Sequence, residues 1–143
     1  MNGELDLYQE AIKQLANAAH GHGQLGAATG EAKLNNPLCG DRVRMQVRVE
    51  AGRIVELAHE TRGCLLCRAA ASLLGQRGVG LAAADVDAAA ATLEARLAQN
   101  AEAPSGWPEF EAFNPARAHP SRHKCLLLPF RALQAALKSD AAP

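Results

Sequence analysis

Three separated segments of this chain each place a thiol beside groups that help it bind metal or react. In the first, Asn35-Asn36-Pro37-Leu38-Cys39-Gly40-Asp41, a thiol and a carboxylate lie two residues apart just ahead of a strand pattern. Proline stiffens the approach and glycine permits an unusual backbone angle, so Cys39 and Asp41 could reach one ion. The plainer alternative is a strand-entry turn with a solvated Asp41. The second segment is Gly63-Cys64-Leu65-Leu66-Cys67. Cys64 falls at an expected helix start, where unpaired backbone N–H groups favour a thiolate. A Cys-x-x-Cys pair is either a redox motif or half of a zinc site. Cys67, one helical turn further into an apolar stretch, reads as a small core residue. The third segment, Pro120-Ser121-Arg122-His123-Lys124-Cys125, sets a thiol among basic groups immediately ahead of the last expected helix. Positive charge and a helix start both stabilise thiolate there, and the plainer alternative is a basic helix-entry loop with Cys125 packed inward.

Taken together, Cys39, Asp41, Cys64 and Cys125 supply three thiolates and one carboxylate, a donor set suited to tetrahedral zinc or to iron in a sulfide cluster. Spacing along the chain does not by itself bring them together. His59, His119 and His123 are further possible ligands, and His20 and His22 flank a glycine in a loop. Lone histidines in strands and loops read more simply as surface residues.

The elements that must position these residues follow from periodicity. Leu5, Tyr8, Ile12 and Leu15 recur at helical spacing and predict an amphipathic first helix over residues 5–19. Residues 20–36 show neither helix nor strand period and read as loop. Val43, Met45, Val47 and Val49 alternate with arginines expected in solvent, predicting a half-buried strand. Ala51-Gly52 is a turn, and residues 54–61 return as the second strand of a hairpin. Residues 65–74 predict a helix beginning close to Cys64. Asp85 is expected to cap a third helix that runs to about Gln99, anchored by Val86, Leu93 and Leu97. Four prolines between Asn100 and Ser121 imply an irregular excursion with a short helical turn around residues 109–113. Leu126, Leu127, Phe130, Leu133 and Leu137 mark a final helix, with Pro129 placed near its first turn, and residues 139–143 are expected to fray.

The 143 residues, 48% of them hydrophobic, suit a single domain spanning residues 1–143. Fifteen acidic and fifteen basic residues balance, so the chain carries no bulk electrostatic footprint for nucleic acid or an anionic membrane. Protein or metal partners fit better. The start lacks a leader pattern and no apolar run reaches spanning length, which predicts a cytoplasmic protein. Four cysteines in a reducing compartment favour thiols that bind metal or do chemistry over a disulfide framework.

Asn36-Pro37-Leu38-Cys39-Gly40-Asp41, Gly63-Cys64 followed by Ala71-Ser72, and Arg122-His123-Lys124-Cys125-Leu126-Leu127-Leu128 resemble the three cysteine motifs of the IscU/SufU/NifU N-terminal family of iron-sulfur cluster assembly proteins. Leu7-Tyr8-Gln9-Glu10 resembles that family's opening helix, so the likeness spans almost the whole chain. The resemblance implies an α+β fold, a small antiparallel sheet of about three strands packed against helices, with the third strand near residues 25–35. It implies that Cys39, Asp41, Cys64 and Cys125 are metal ligands. Either they hold a nascent iron-sulfur cluster, with sulfur delivered as persulfide by a cysteine desulfurase of the SufS or IscS type for apo iron-sulfur recipient proteins, or they bind zinc. The long segment between the second and third motifs, and Lys124 before Cys125, resemble the SufU branch, whose members act as zinc-dependent sulfurtransferases. Cys39 would then be the persulfide acceptor, and Cys125 takes the larger role in IscU-type scaffolds. His20-Gly21-His22-Gly23 departs from the Pro-Arg-Asn common in the family, and Cys67 is additional to its three thiols. A Cys64/Cys67 thiol oxidoreductase is the third reading, and it leaves the other two motifs unexplained.

Overall fold

Val43, Met45 and Val47 put one face of an extended strand fully out of solvent, and that strand becomes the centre of the sheet. In the computed structural model of the chain, residues 3–38, 40–98 and 106–140 are described, with side chains described from Glu10 onward. Strand β1 (Gly30–Asn36) pairs antiparallel with β2 (Asp41–Glu50), and β2 pairs antiparallel with β3 (Arg53–Arg62), in the spatial order β1-β2-β3. This is the expected three-stranded antiparallel sheet of an α+β fold. β1 occupies the end of a segment whose composition reads as loop. Its residues Lys33 and Asn35 are exposed while Ala32 and Leu34 pack on the core, so a short edge strand hides behind a weak alternation.

The β2–β3 hairpin turns through Ala51 and Gly52, both at positive φ (53° and 76°), in the two-residue geometry that matches strand twist. Register shifts between Arg48 and Val49, so that Val55 is the extra residue of a bulge. Arg44 and Arg48, expected in solvent, are half-buried. Arg44 bonds Glu31 at 2.9 Å and Glu60 at 3.0 Å, and Arg48 bonds Glu56 at 3.0 Å and also Glu50.

The helices cover one face. Helix α1 (Gly3–Ala18) packs on α2 (Leu65–Arg77), α2 lies against β3, and α4 (Pro120–Lys138) crosses β1 and β2, with α3 (Ala83–Ala98) outside α4. Ile12 carries the inward stripe of α1 at 1% exposure. The side chains of Leu5 and Tyr8 lie outside the described residues. Asp85 does not cap α3: the helix begins at Ala83, and Asp85 reaches back three residues to accept the Ala82 N–H at 2.9 Å. That is the return half of a capping box, and the small residues ahead of Asp85 continue the helix where sequence reading started it later.

The excursion before α4 is more ordered than its prolines suggest. Residues 108–118 form a 3₁₀ helix (Pro108–Ala118) whose Phe110 and Phe113 are buried, with Phe110 6.0 Å from the ring of Phe130 on α4. Arg77 at the end of α2 holds Glu109 at 2.7 Å. Helix α4 begins at Pro120, earlier than expected. Cys125 therefore lies inside the helix, and Pro129 sits deep in its middle instead of in the first turn. Pro129 offers no N–H to the Cys125 carbonyl, and a proline inside a helix costs about 3 kcal/mol; it is buried here, as are its helix neighbours Leu126, Phe130 and Leu133. Ser139 does not fray: its hydroxyl accepts the Glu31 N–H at 2.9 Å and fastens the end of α4 to β1. Among the described residues, no helix is long and apolar enough to cross a membrane.

Candidate metal centre

Asp41, Cys64 and Cys125 come from a strand start, a helix cap and a helix interior, and their ligand atoms all lie within 4.8 Å of one another. Each arrives by a separate local device. Asp41 is the first residue of β2 and pairs with Asn36, the last of β1. The connecting turn is fixed by the Leu38 N–H donating to Asn36 Oδ1 at 3.1 Å and the Gly40 N–H donating to the Asn36 carbonyl at 2.8 Å. Gly40 has φ 76°, a left-handed value that glycine adopts without steric cost. Cys39 lies outside the described residues; its neighbours Leu38 and Gly40 belong to this turn, and Leu38 is 83% exposed.

Cys64 is the N-cap of α2, with extended backbone (φ −67°, ψ 166°), no side-chain capping bond of its own and no acidic residue in the helix's first turn. Asp41 makes up for both. Its Oδ1 accepts the Cys64 backbone N–H at 2.8 Å, and its Oδ2 accepts the Cys64 thiol at 3.5 Å. A carboxylate is thereby held at the positive end of the α2 dipole, where negative charge is stabilised. Asp41 is fully buried, and burial of a carboxylate is tolerable only with such partners. Gly63 makes room for it: a Cβ there would overlap the Asp41 carboxylate, with the carboxyl carbon only 2.7 Å away.

Cys125 is 1% exposed and faces this pair from the second turn of α4. The expectation that it sits at a helix start is corrected, because Pro120 nucleates the helix five residues earlier. Cys67 is fully buried in the hydrophobic core and does not belong to the group of possible ligands. The Cys-x-x-Cys spacing therefore divides between a site residue and a core residue.

No histidine joins the group among the described residues. His119 is exposed, and His123 places Nε2 3.1 Å from the Ala116 carbonyl. His20 and His22 are exposed, but His59 departs from the surface reading at 2% exposure. Its Nε2 lies 2.8 Å from the His20 carbonyl and its Nδ1 2.9 Å from Thr61 Oγ1. The carbonyl can only accept, so Nε2 carries the proton in the neutral ring and Nδ1 accepts from the hydroxyl. Burial holds the imidazole below its ordinary value, with a smaller push from His22. The loop through Gly21 and Gly23 is tied to the His59 backbone at 2.9 Å on both sides.

The donor set itself is the test of fit. Two thiols and a buried carboxylate converging within one ion's reach suit zinc or iron, which take S and O donors at roughly 2.0–2.3 Å. Beside them, a groove of about 410 Å³ runs between Pro37 and the Lys124, Leu127 and Leu128 positions of α4.

The family model of the NifU-like N-terminal domain matches residues 7–105. The chain is 28% identical over 145 residues to the iron-sulfur cluster assembly scaffold protein IscU of Thermotoga maritima, covering 96% of each. It is 27% identical over 138 residues to the zinc-dependent sulfurtransferase SufU of Bacillus subtilis, covering 93% of this chain and 91% of that one. Among solved structures, it superposes on a NifU-like N-terminal protein from Brucella abortus with a TM-score of 0.88 at 28% identity, covering 94% of both chains.

Proposed function

The chain belongs to the NifU-like N-terminal domain family, and we propose that it is a single-domain iron-sulfur cluster assembly protein of the cytoplasm. Its work is to hold nascent clusters or to accept persulfide sulfur from a cysteine desulfurase. The single observation that carries the reading is the convergence of Asp41, Cys64 and Cys125, from three distant segments, within 4.8 Å. Cys39 completes the ligand set, as a fourth donor on the turn whose other residues already lead into Asp41. Apo iron-sulfur proteins are the recipients.

In this role Cys64 and Cys125 supply thiolates, which a bound zinc or iron would keep deprotonated. Asp41 supplies a harder oxygen donor already committed to the Cys64 N–H, so its second oxygen is the exchangeable corner. Sulfur transfer needs no external oxidant. The Cys39 thiolate attacks the terminal sulfur of the desulfurase persulfide, a new S–S bond forms on Cys39, and the desulfurase cysteine leaves as thiolate.

A second reading, zinc-dependent sulfur transfer without cluster retention, is favoured by the SufU relative and by the ordered 3₁₀ segment inserted between the second and third cysteine motifs. One experiment separates the two. Metal is measured in the purified protein, and desulfurase turnover is then followed with and without a chelator. Cluster assembly from iron and desulfurase-derived sulfide supports the scaffold role. Tightly held zinc with chelator-sensitive stimulation and no retained chromophore supports sulfur transfer. A protein that does neither contradicts the proposal.

A further inference from the structure

Arg42 and Arg62 stand directly opposite each other on neighbouring strands, at the end of the sheet where Asp41 and Cys64 lie. Like charges in that position repel, and a sheet selected for stability alone pairs them with acids. The rest of this face does so. Arg44 is bonded to both Glu31 and Glu60, and Arg48 to both Glu50 and Glu56. Lys33 stands opposite Arg44 and Arg53 opposite Glu50, so four cations meet four carboxylates along the middle and far part of the face, which is close to neutral. Lys33, Arg42 and Arg62 are all exposed, and none has an ion-pair partner among the described residues. They line a groove of about 450 Å³ whose far wall is the neutralised Arg44–Glu60 pair. The face is therefore polarised along the strands, with its positive end beside the metal centre.

We propose that Lys33, Arg42 and Arg62 form a docking site for an acidic segment of a protein partner that exchanges sulfur or cluster at the neighbouring centre. Two guanidinium forks on adjacent strands suit a peptide bearing two or more carboxylates, each able to be gripped bidentately. Nucleic acid fits poorly, because the chain has no net charge and the Glu31, Glu50, Glu56 and Glu60 carboxylates continue the same face. Asp41 and Arg42 point to opposite faces by strand alternation, so a partner held by Arg42 reaches the centre around the sheet end without covering it. That the partner is the sulfur donor rests on the function proposed above; the acid-binding groove does not.

The test uses the full chain, wild type and Arg42→Glu/Arg62→Glu, in two titrations. With a cysteine desulfurase, wild-type affinity should weaken as salt rises, and the double variant should bind about tenfold or more weakly at low salt. Metal content and melting temperature read on the same samples distinguish a lost contact from a damaged centre. With an oligoglutamate peptide, the backbone NMR signals of positions 33, 42 and 62 should shift in the wild type, and those of the same positions should stay still in the double variant. Wild-type-like desulfurase binding by a folded, metal-replete double variant overturns the proposal. So do equal shifts with inorganic phosphate, which would make the groove a small-anion site. If the wild type binds no desulfurase at all yet takes up oligoglutamate through these residues, the groove stands and the sulfur-transfer reading fails.

Discussion

One carboxylate oxygen of Asp41 accepts the backbone N–H of Cys64 at 2.8 Å while the other lies 3.5 Å from the same residue's sulfur. A single buried side chain thus caps helix α2 and stands among the possible metal ligands. Asp41→Ala removes both roles. It should lower stability by about 1–3 kcal/mol, the cost of an unmet buried donor, and weaken metal retention. Asp41→Asn keeps an acceptor for the Cys64 N–H, so it should recover most of the stability without recovering the metal. Urea denaturation and competition with a colorimetric zinc chelator read the two effects apart.

Gly63→Ala tests the same carboxylate from the other side. The added methyl overlaps Asp41, whose fully buried position leaves no room to retreat. The expected outcome is weaker metal binding with all ligand residues intact, measured by the same chelator competition. Unchanged metal affinity would show that the carboxylate position is not needed.

Cys67→Ala should separate the core thiol from the site thiols. Loss of one buried sulfur costs on the order of 1 kcal/mol of stability. Metal content and sulfur uptake from a desulfurase should stay at the wild-type level, since Cys67 is packed in the core and outside the ligand group. Loss of sulfur uptake in a folded Cys67→Ala protein would revive the Cys-x-x-Cys oxidoreductase reading.

His59 predicts a pH dependence of stability. Its imidazole is held neutral below the ordinary value of 6.5, chiefly by burial, so the unfolded chain takes up the proton first. Stability is therefore complete above about pH 6.5 and falls as pH drops below it, until the folded-state ring also protonates. Denaturant midpoints at pH 7.5, 6.5 and 5.5, taken as roughly spaced points across that window, should decline in the wild type. The decline should be shallower in His59→Gln, which keeps a donor for the His20 carbonyl.

Much of the site was legible because its residues sit at breaks in periodicity. Pro37 and Gly40 announce a turn ahead of the alternating Val43, Met45 and Val47, and Gly63 ends a strand just where an alanine- and leucine-rich helix begins. Turn chemistry and period carry that information locally. Convergence was not local. Nothing near Cys125 in the chain says that Asp41 lies across from it, and only the resemblance of three ordered motifs implied it. The misses have the same root. Helix α4 starts at Pro120 because basic and polar residues make an acceptable first turn, which moved Cys125 inward and Pro129 to mid-helix. β1 was nearly invisible because a seven-residue edge strand with two exposed polar positions has little period to show. His59 is buried by a loop whose glycines fold against β3, a contact between residues far apart in sequence.

In the function proposed above, Cys39, Asp41, Cys64 and Cys125 form one metal centre at which sulfur is handled. Native mass spectrometry of the wild type and of Cys39→Ser, Asp41→Ala, Cys64→Ser, Cys125→Ser and Cys67→Ala, each loaded with zinc under identical conditions, tests it most directly. A single bound ion is expected in the wild type and in Cys67→Ala, with weakened or absent binding in the other four. Equal loading of Cys125→Ser and the wild type, or loss confined to Cys64→Ser and Cys67→Ala, would contradict it.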